Sequence, residues 1–172
     1  MADLIRLVLS NIPAIMVVAA ILVAALRRDG RPPASRLLDW MLLLAVGIDG
    51  LWAGLFHVLF PHVAATSIGW EVSPFQFEVG VADIAIGLVA ILAFWRSLPF
   101  KAAVVAYAVL FYLGVAFGHV REAVEAGNFA ANNFGLLLLL TLARALVLPA
   151  LLWMAWRTGQ PGRAAAVSDG RR

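Results

Sequence analysis

Five long, nearly uninterrupted apolar runs constrain this chain more than any other feature of its sequence. They cover residues 4–26, 37–61, 74–95, 102–120 and 134–156. A helix rises 1.5 Å per residue, so about 20 apolar residues match the roughly 30 Å hydrocarbon core of a bilayer. The chain has 172 residues, 63% of them apolar and 13% charged, where a soluble domain averages about 25% charged. A domain of this size cannot hide so much apolar surface in one core, and its mean hydropathy of +0.94 requires apolar side chains that face lipid. A water-soluble globule is excluded. The expected fold class is all-α: a polytopic membrane helix bundle with five transmembrane helices, forming a single domain over residues 1–158.

The first run resembles a secretory signal in position. It is too long for a signal's apolar region and ends at Arg27-Arg28-Asp29-Gly30-Arg31, a stop-transfer flank, so it reads as a retained helix. Orientation follows from the basic residues. Arg27, Arg28, Arg31 and Arg36, then Arg96 and Lys101, then Arg157, Arg163, Arg171 and Arg172 fall on one side of the spans; Arg6 and Arg121 fall on the other. The positive-inside rule then places the amino terminus outside and the carboxyl terminus in the cytoplasm. Trp95, Trp153 and Trp156 lie near the inner boundary, where indoles anchor. Residues 159–172 are polar and small, and read as a disordered cytoplasmic tail. Of the thirteen basic residues only Lys101 is lysine, a bias that suggests a GC-rich bacterial genome and so the bacterial inner membrane. The basic residues cluster as topology signals, not as a nucleic-acid footprint. With no cysteine, thiolate chemistry and Cys-ligated metals are closed.

The two outer loops are irregular and polar. The segment 62–76 is hydrophobic enough to lie along the interface, and it ends in Ser73-Pro74-Phe75-Gln76, a helix start with Ser73 as N-cap. Asn128, Asn132 and Asn133 are candidate caps for the fifth helix.

Ionisable groups inside spans are costly and by default mark a site. Asp49 and Arg144 both fall near the middle of their runs, with Asp83 slightly above, so a guanidinium on the fifth helix can reach a carboxylate on the second or third. The first expectation is the Asp49–Arg144 pair; a relay through Asp49, Asp83 and Arg144 is the alternative. His57, His119 and Glu78 form a polar layer near the outer surface, with His62 just beyond it, and Tyr112, seven residues before His119, shares its helix face. His57, Glu78 and His119 are the candidate acid–base residues. They are also a weak candidate transition-metal set, because no helix carries a His-x-x-x-His pair. Otherwise no cofactor is implied. Trp70, Gln76, Glu78, His57, His119, Asn132 and Asn133 are the candidate ligand-binding residues. Gly47, Gly50 and Gly54 form a small-residue stripe on the second helix, as Gly80, Asp83 and Gly87 do on the third, and both fit close helix packing.

Through Ile68-Gly69-Trp70, Ser73-Pro74-Phe75-Gln76, Glu78, Gly80 and Ala82-Asp83, then Gly118-His119 and Asn132-Asn133 with Gly135, the chain resembles an uncharacterised family of small bacterial polytopic membrane proteins. The resemblance covers about residues 45–140 and implies a membrane bundle without implying an activity. The expected function is a binding or accessory membrane protein with an outer-leaflet polar pocket for a small or apolar ligand. A partner membrane subunit is the other occupant considered. A membrane enzyme acting on a lipid or quinone-like substrate, or a small ion or proton transporter, are the alternatives.

Overall fold

The structure is a computed structural model and describes residues 9–158. The proposed tail at 159–172 and the first residues of the first run lie outside the described residues. The described chain is helical throughout, with no strand. Its helices are α1 (Ile12–Leu26), α2 (Pro33–Leu59), α3 (Pro61–Ile68), α4 (Pro74–Ala93), α5 (Leu98–Glu125) and α6 (Leu136–Thr158). Four of them, α2, α4, α5 and α6, are long and apolar enough to cross a membrane; α1 is apolar but has 15 described residues.

Proline sets several starts. Pro33, Pro61 and Pro74 each open a helix, where a missing N–H costs nothing because that donor has no intrahelical partner. Helix α3 stops at Gly69, whose φ of 73° is the left-handed C-terminal cap that only glycine adopts freely. Helix α5 runs past the apolar run 102–120 at both ends: Pro99 lies in its first turn, where a missing N–H costs nothing, and Lys101 finds Asp39.

The two glycine stripes meet. At Gly54 an added Cβ would lie 2.5 Å from the Gly80 carbonyl oxygen, and at Gly87 one would lie 2.8 Å from the Gly47 carbonyl oxygen. Helices α2 and α4 therefore approach backbone to backbone, as small-residue stripes permit in lipid, where dispersion contacts and not water exclusion drive association.

The antiparallel connections divide the bundle into two ends. The basic end holds the α1–α2 and α4–α5 connections with their arginines. The histidine end holds α3 and the α5–α6 loop. Packing is dense toward the basic end, where Leu38, Leu42 and Val46 of α2 meet Ala90 of α4, Val105 of α5 and Leu148 of α6, all essentially inaccessible. Within it lies an ion cluster that the hydropathy pattern did not single out. Asp39 is buried and receives both Lys101 and Arg31, the latter at 2.5 Å. Lys101, counted above as a loop charge, is thus a buried residue in the first turn of α5. The Arg36 guanidinium donates to the Ala24 carbonyl at 2.6 Å and so satisfies the end of α1. Outward-facing residues are apolar, including Leu110, Phe117, Leu139 and Leu146. They form the surface a lipid environment requires.

Candidate functional site

The dense core stops at the level of Asp49, Asp83, Tyr112 and Arg144. Above it, toward the histidine end, the helices enclose a cavity of about 650 Å³. That is the size of a small-molecule site, and its lining is mostly apolar with a few convergent polar groups, as such sites usually are. His57 to Asp49, Gln76 to Asp83 and His119 to Tyr112 are each seven or eight residues apart on lining helices. The cavity is therefore about 11 Å deep at 1.5 Å per residue.

Its floor is charged. Arg144 pairs with Asp49, and the same Nη1 donates to the Ala45 carbonyl at 2.8 Å. Ala45 belongs to a π-helical stretch, Met41–Ile48, that runs directly into Asp49. A wider turn changes which carbonyls are claimed within the helix, and such stretches recur beside functional groups. Arg144 Nε reaches the Leu140 carbonyl at 3.3 Å, and its guanidinium carbon sits 4.9 Å from the centre of the Tyr112 ring. The second oxygen of Asp49, Oδ1, is the buried side-chain polar atom without a partner among the described residues. Asp83 also lines the cavity and makes no hydrogen bond or ion pair among the described residues. Arg144 thus binds one of the two carboxylates considered from the sequence and leaves the other facing open space.

The mouth is built around Asn133, which is fully buried. Its amide nitrogen donates to the carbonyls of His119 at 3.2 Å and Asn128 at 2.8 Å. Those two acceptors fix the amide's orientation, so its oxygen must accept. It accepts from Trp70 Nε1 at 2.9 Å and lies 2.8 Å from His119 Nδ1. The network therefore assigns the proton of a neutral His119 to Nδ1 and leaves Nε2, which has no partner among the described residues, as a lone-pair acceptor on the cavity side. Opposite, Gln76 donates to the Pro61 carbonyl at 2.8 Å and contacts His57 Nδ1 at 3.3 Å, which makes Nδ1 the acceptor and Nε2 the N–H.

Several expectations are corrected. Glu78 is exposed and does not line the cavity, because Gln76, Val79 and Asp83 form the inward face of α4 and a residue two positions from Gln76 points to the far side. No group of three metal-ligating side chains comes together among the described residues, so the set His57, Glu78 and His119 is not assembled. Ser73 begins α4 without a side-chain cap, and Gln76 turns inward instead of closing a capping box. The asparagines do not cap α6. Asn128 ties the α5–α6 loop to the Ile68 and Gly69 carbonyls, Asn133 builds the mouth, and Asn132 lines a separate cavity of about 80 Å³ against α1. Asn133 supports the lining without belonging to it. His62 is exposed.

Helix α5 presents a wall that the sequence reading passed over. Among the described residues nothing lies within 4 Å of a Cβ added at Gly114, and at Gly118 the Trp70 ring does, at 3.8 Å. These glycines face the cavity and are not packed against a helix. Leu110 and Phe75 line the cavity and are 72% and 71% exposed, so it also opens sideways between α4 and α5.

The model of a family of unknown function, DUF6790, matches residues 10–161. The chain belongs to that family. The match takes in every helix described above and agrees with the resemblance to an uncharacterised family. No curated protein and no solved structure matches the chain.

Proposed function

We propose that the chain is a membrane ligand-binding protein whose cavity takes one small amphipathic molecule, apolar body against α4 and α5 and polar head toward the floor. The observation that carries this reading is the cavity itself: about 650 Å³, aromatic and aliphatic at its sides, with a charged floor. The packed layer from Leu42 to Leu148 closes it toward the basic end, and the polar groups beyond that layer, Asp39, Lys101 and Arg31, are paired with one another. That favours binding over a continuous transport path. The sideways opening suits a molecule that arrives from the bilayer.

The distribution of basic residues supports the five-span orientation with the amino terminus outside, and composition supports the bacterial inner membrane. On that reading the cavity belongs to the outer leaflet. A reporter fused after Arg172 tests it: activity in the cytoplasm is expected, and a periplasmic signal overturns the orientation.

Binding is tested with Gly114→Leu, which adds apolar volume to the cavity from a position where a Cβ meets no described atom within 4 Å. In lipid nanodiscs, the neutral probe 2-(2-naphthyl)ethanol is expected to bind wild type saturably above empty discs. The variant is expected to bind it at least about tenfold more weakly, a loss of about 1.4 kcal/mol. Equal binding by both proteins refutes the cavity reading.

The fixed tautomer of His119 favours a second reading, in which Nε2 takes a proton from a C–H bond of the same ligand and returns it at another carbon as the double bond shifts, an isomerisation that needs no other reactant. The molecule recovered from His119→Ala protein should then differ covalently from that recovered from wild type. The same molecule at the same occupancy in both refutes it.

A further inference from the structure

We infer that the ligand of this cavity is a lipophilic amine, held as its ammonium form beside the Asp83 carboxylate. The inference rests on the ligand-binding reading and adds to it the chemistry of the occupant.

The floor is unbalanced. Two carboxylates, Asp49 and Asp83, face one guanidinium, whose Nη1 is engaged with Asp49 and the Ala45 carbonyl, its Nε with the Leu140 carbonyl and one face with the Tyr112 ring, while Nη2 makes no hydrogen bond among the described residues. Asp49, with its side chain 7% exposed, still has one oxygen without a donor, and Asp83 has none for either oxygen. A buried acceptor without a donor is costly, which applies to Asp49 Oδ1, and Asp83 faces the cavity, where a ligand can supply donors. An ammonium supplies N–H donors and brings the floor to two cations against two anions. A carboxylate head would add a third anion. A neutral hydroxyl would satisfy an acceptor but leave the charge uncompensated.

The walls fit the rest of such a molecule. Phe75, Phe111 and Trp70 line the cavity, and aromatic faces attract a desolvated cation as well as an apolar body. His119 Nε2 adds a further acceptor at the mouth, where a second N–H or a hydroxyl of the ligand would lie. The opening between α4 and α5 admits a molecule already dissolved in the bilayer.

Three probes of one shape separate charge from fit: 2-(2-naphthyl)ethylammonium, 2-(2-naphthyl)ethanol and 2-naphthylacetate, each measured in nanodiscs of zwitterionic lipid against empty discs. The ammonium is expected to bind wild type at least about tenfold more tightly than the alcohol, as a charge-assisted hydrogen bond would give, and the acetate more weakly still. Asp83→Asn, an isosteric change at a side chain with no partner to lose, is expected to remove the ammonium's advantage and leave the alcohol unchanged. Equal binding of ammonium and alcohol, with both lost in Gly114→Leu, overturns the amine assignment and leaves the cavity reading standing. An acetate preference does the same. Failure of all three probes to bind, or binding indifferent to Gly114→Leu, overturns both. The wild-type comparison decides the matter even if Asp83→Asn protein folds poorly.

Discussion

The same substitution, glycine to alanine inside a helix, should have opposite effects on α2 and α5. At Gly54 the new Cβ would sit 2.5 Å from the Gly80 carbonyl oxygen, 2.7 Å from Ile84 Cγ1 and 2.8 Å from the Ile84 nitrogen, where ordinary contact begins at 3.4 Å. Two of the three neighbours are backbone atoms and cannot rotate aside. Helices α2 and α4 would have to separate by close to 1 Å, and overpacking of this kind costs about 1–3 kcal/mol or more. Alanine's better helix propensity offsets up to about 1 kcal/mol of that. At Gly114 there is no neighbour within 4 Å, so only the propensity gain of about 0.5–1 kcal/mol remains. Gly114→Ala should therefore be more stable than Gly54→Ala by about 2 kcal/mol, with wild type between them. Reversible unfolding in mixed micelles with increasing SDS fraction measures the difference. Equal shifts in one direction, or a Gly54→Ala protein more stable than wild type, would refute the close approach of α2 and α4.

Other outcomes follow from individual contacts. Arg144→Leu leaves Asp49 buried without its partner and should cost about 3–5 kcal/mol, part of which Asp49→Asn restores in the double variant; a double variant no more stable than the single shows that the pair is misassigned. Asn133→Leu removes the acceptor shared by Trp70 and His119 and should both red-shift the Trp70 emission and cost about 1–3 kcal/mol through unsatisfied buried groups. Unchanged emission, read in a variant retaining Trp70 as its sole tryptophan, counts against the mouth described above. In the α1–α2 connection, the hydrogen bond from Arg31 holds the Asp29 carboxyl down to about 2. A depressed folded-state value means that its contribution is present above the unfolded value of about 3.9 and is lost as pH falls through about 2. Carboxyl carbon NMR should show Asp29 titrating near the lower figure, and a midpoint near the higher one would mean that the Arg31 contact is absent in solution.

The level of the polar groups along the bundle was readable from the chain; rotation about each helix was not. Apolar run lengths put Asp49, Asp83 and Arg144 at one level and the histidines at another, because rise per residue is fixed. Which of Gln76 and Glu78 faces inward depends on how α4 meets α2, and that is set by the glycine contacts at Gly54, Gly80 and Gly87. The π-helical stretch adds a second difficulty, since it alters the phase of α2 just before Asp49, and nothing in Met-Leu-Leu-Leu-Ala-Val-Gly-Ile signals it. The roles of Asn128 and Asn133 were hidden for another reason. An asparagine ahead of a helix is ordinarily a cap, and only long-range contacts to Gly69, Trp70 and His119 turn these two into loop ties. The ion cluster at Asp39 escaped because Lys101 stands next to an apolar run and reads as its flank. Its length lets the ammonium return into the bundle to meet Asp39.

The glycines of this chain divide by what stands opposite them, and that division explains where the cavity lies. On α2 and α4 every glycine of the stripes meets backbone or a β-branched side chain, so the two helices form one closely packed wall. The pair does not close on α5 at this level, where Gly114 faces open space and Gly118 meets the Trp70 ring. Toward the basic end the gap is filled by Ile86, Val105 and Leu148; toward the histidine end Val79, Gly114 and Thr141 line the cavity and leave it open. The charged floor lies at the boundary between the two regimes. There a guanidinium packed from below can hold Asp49 in place, while Asp83, one helix over, is left for whatever enters from above.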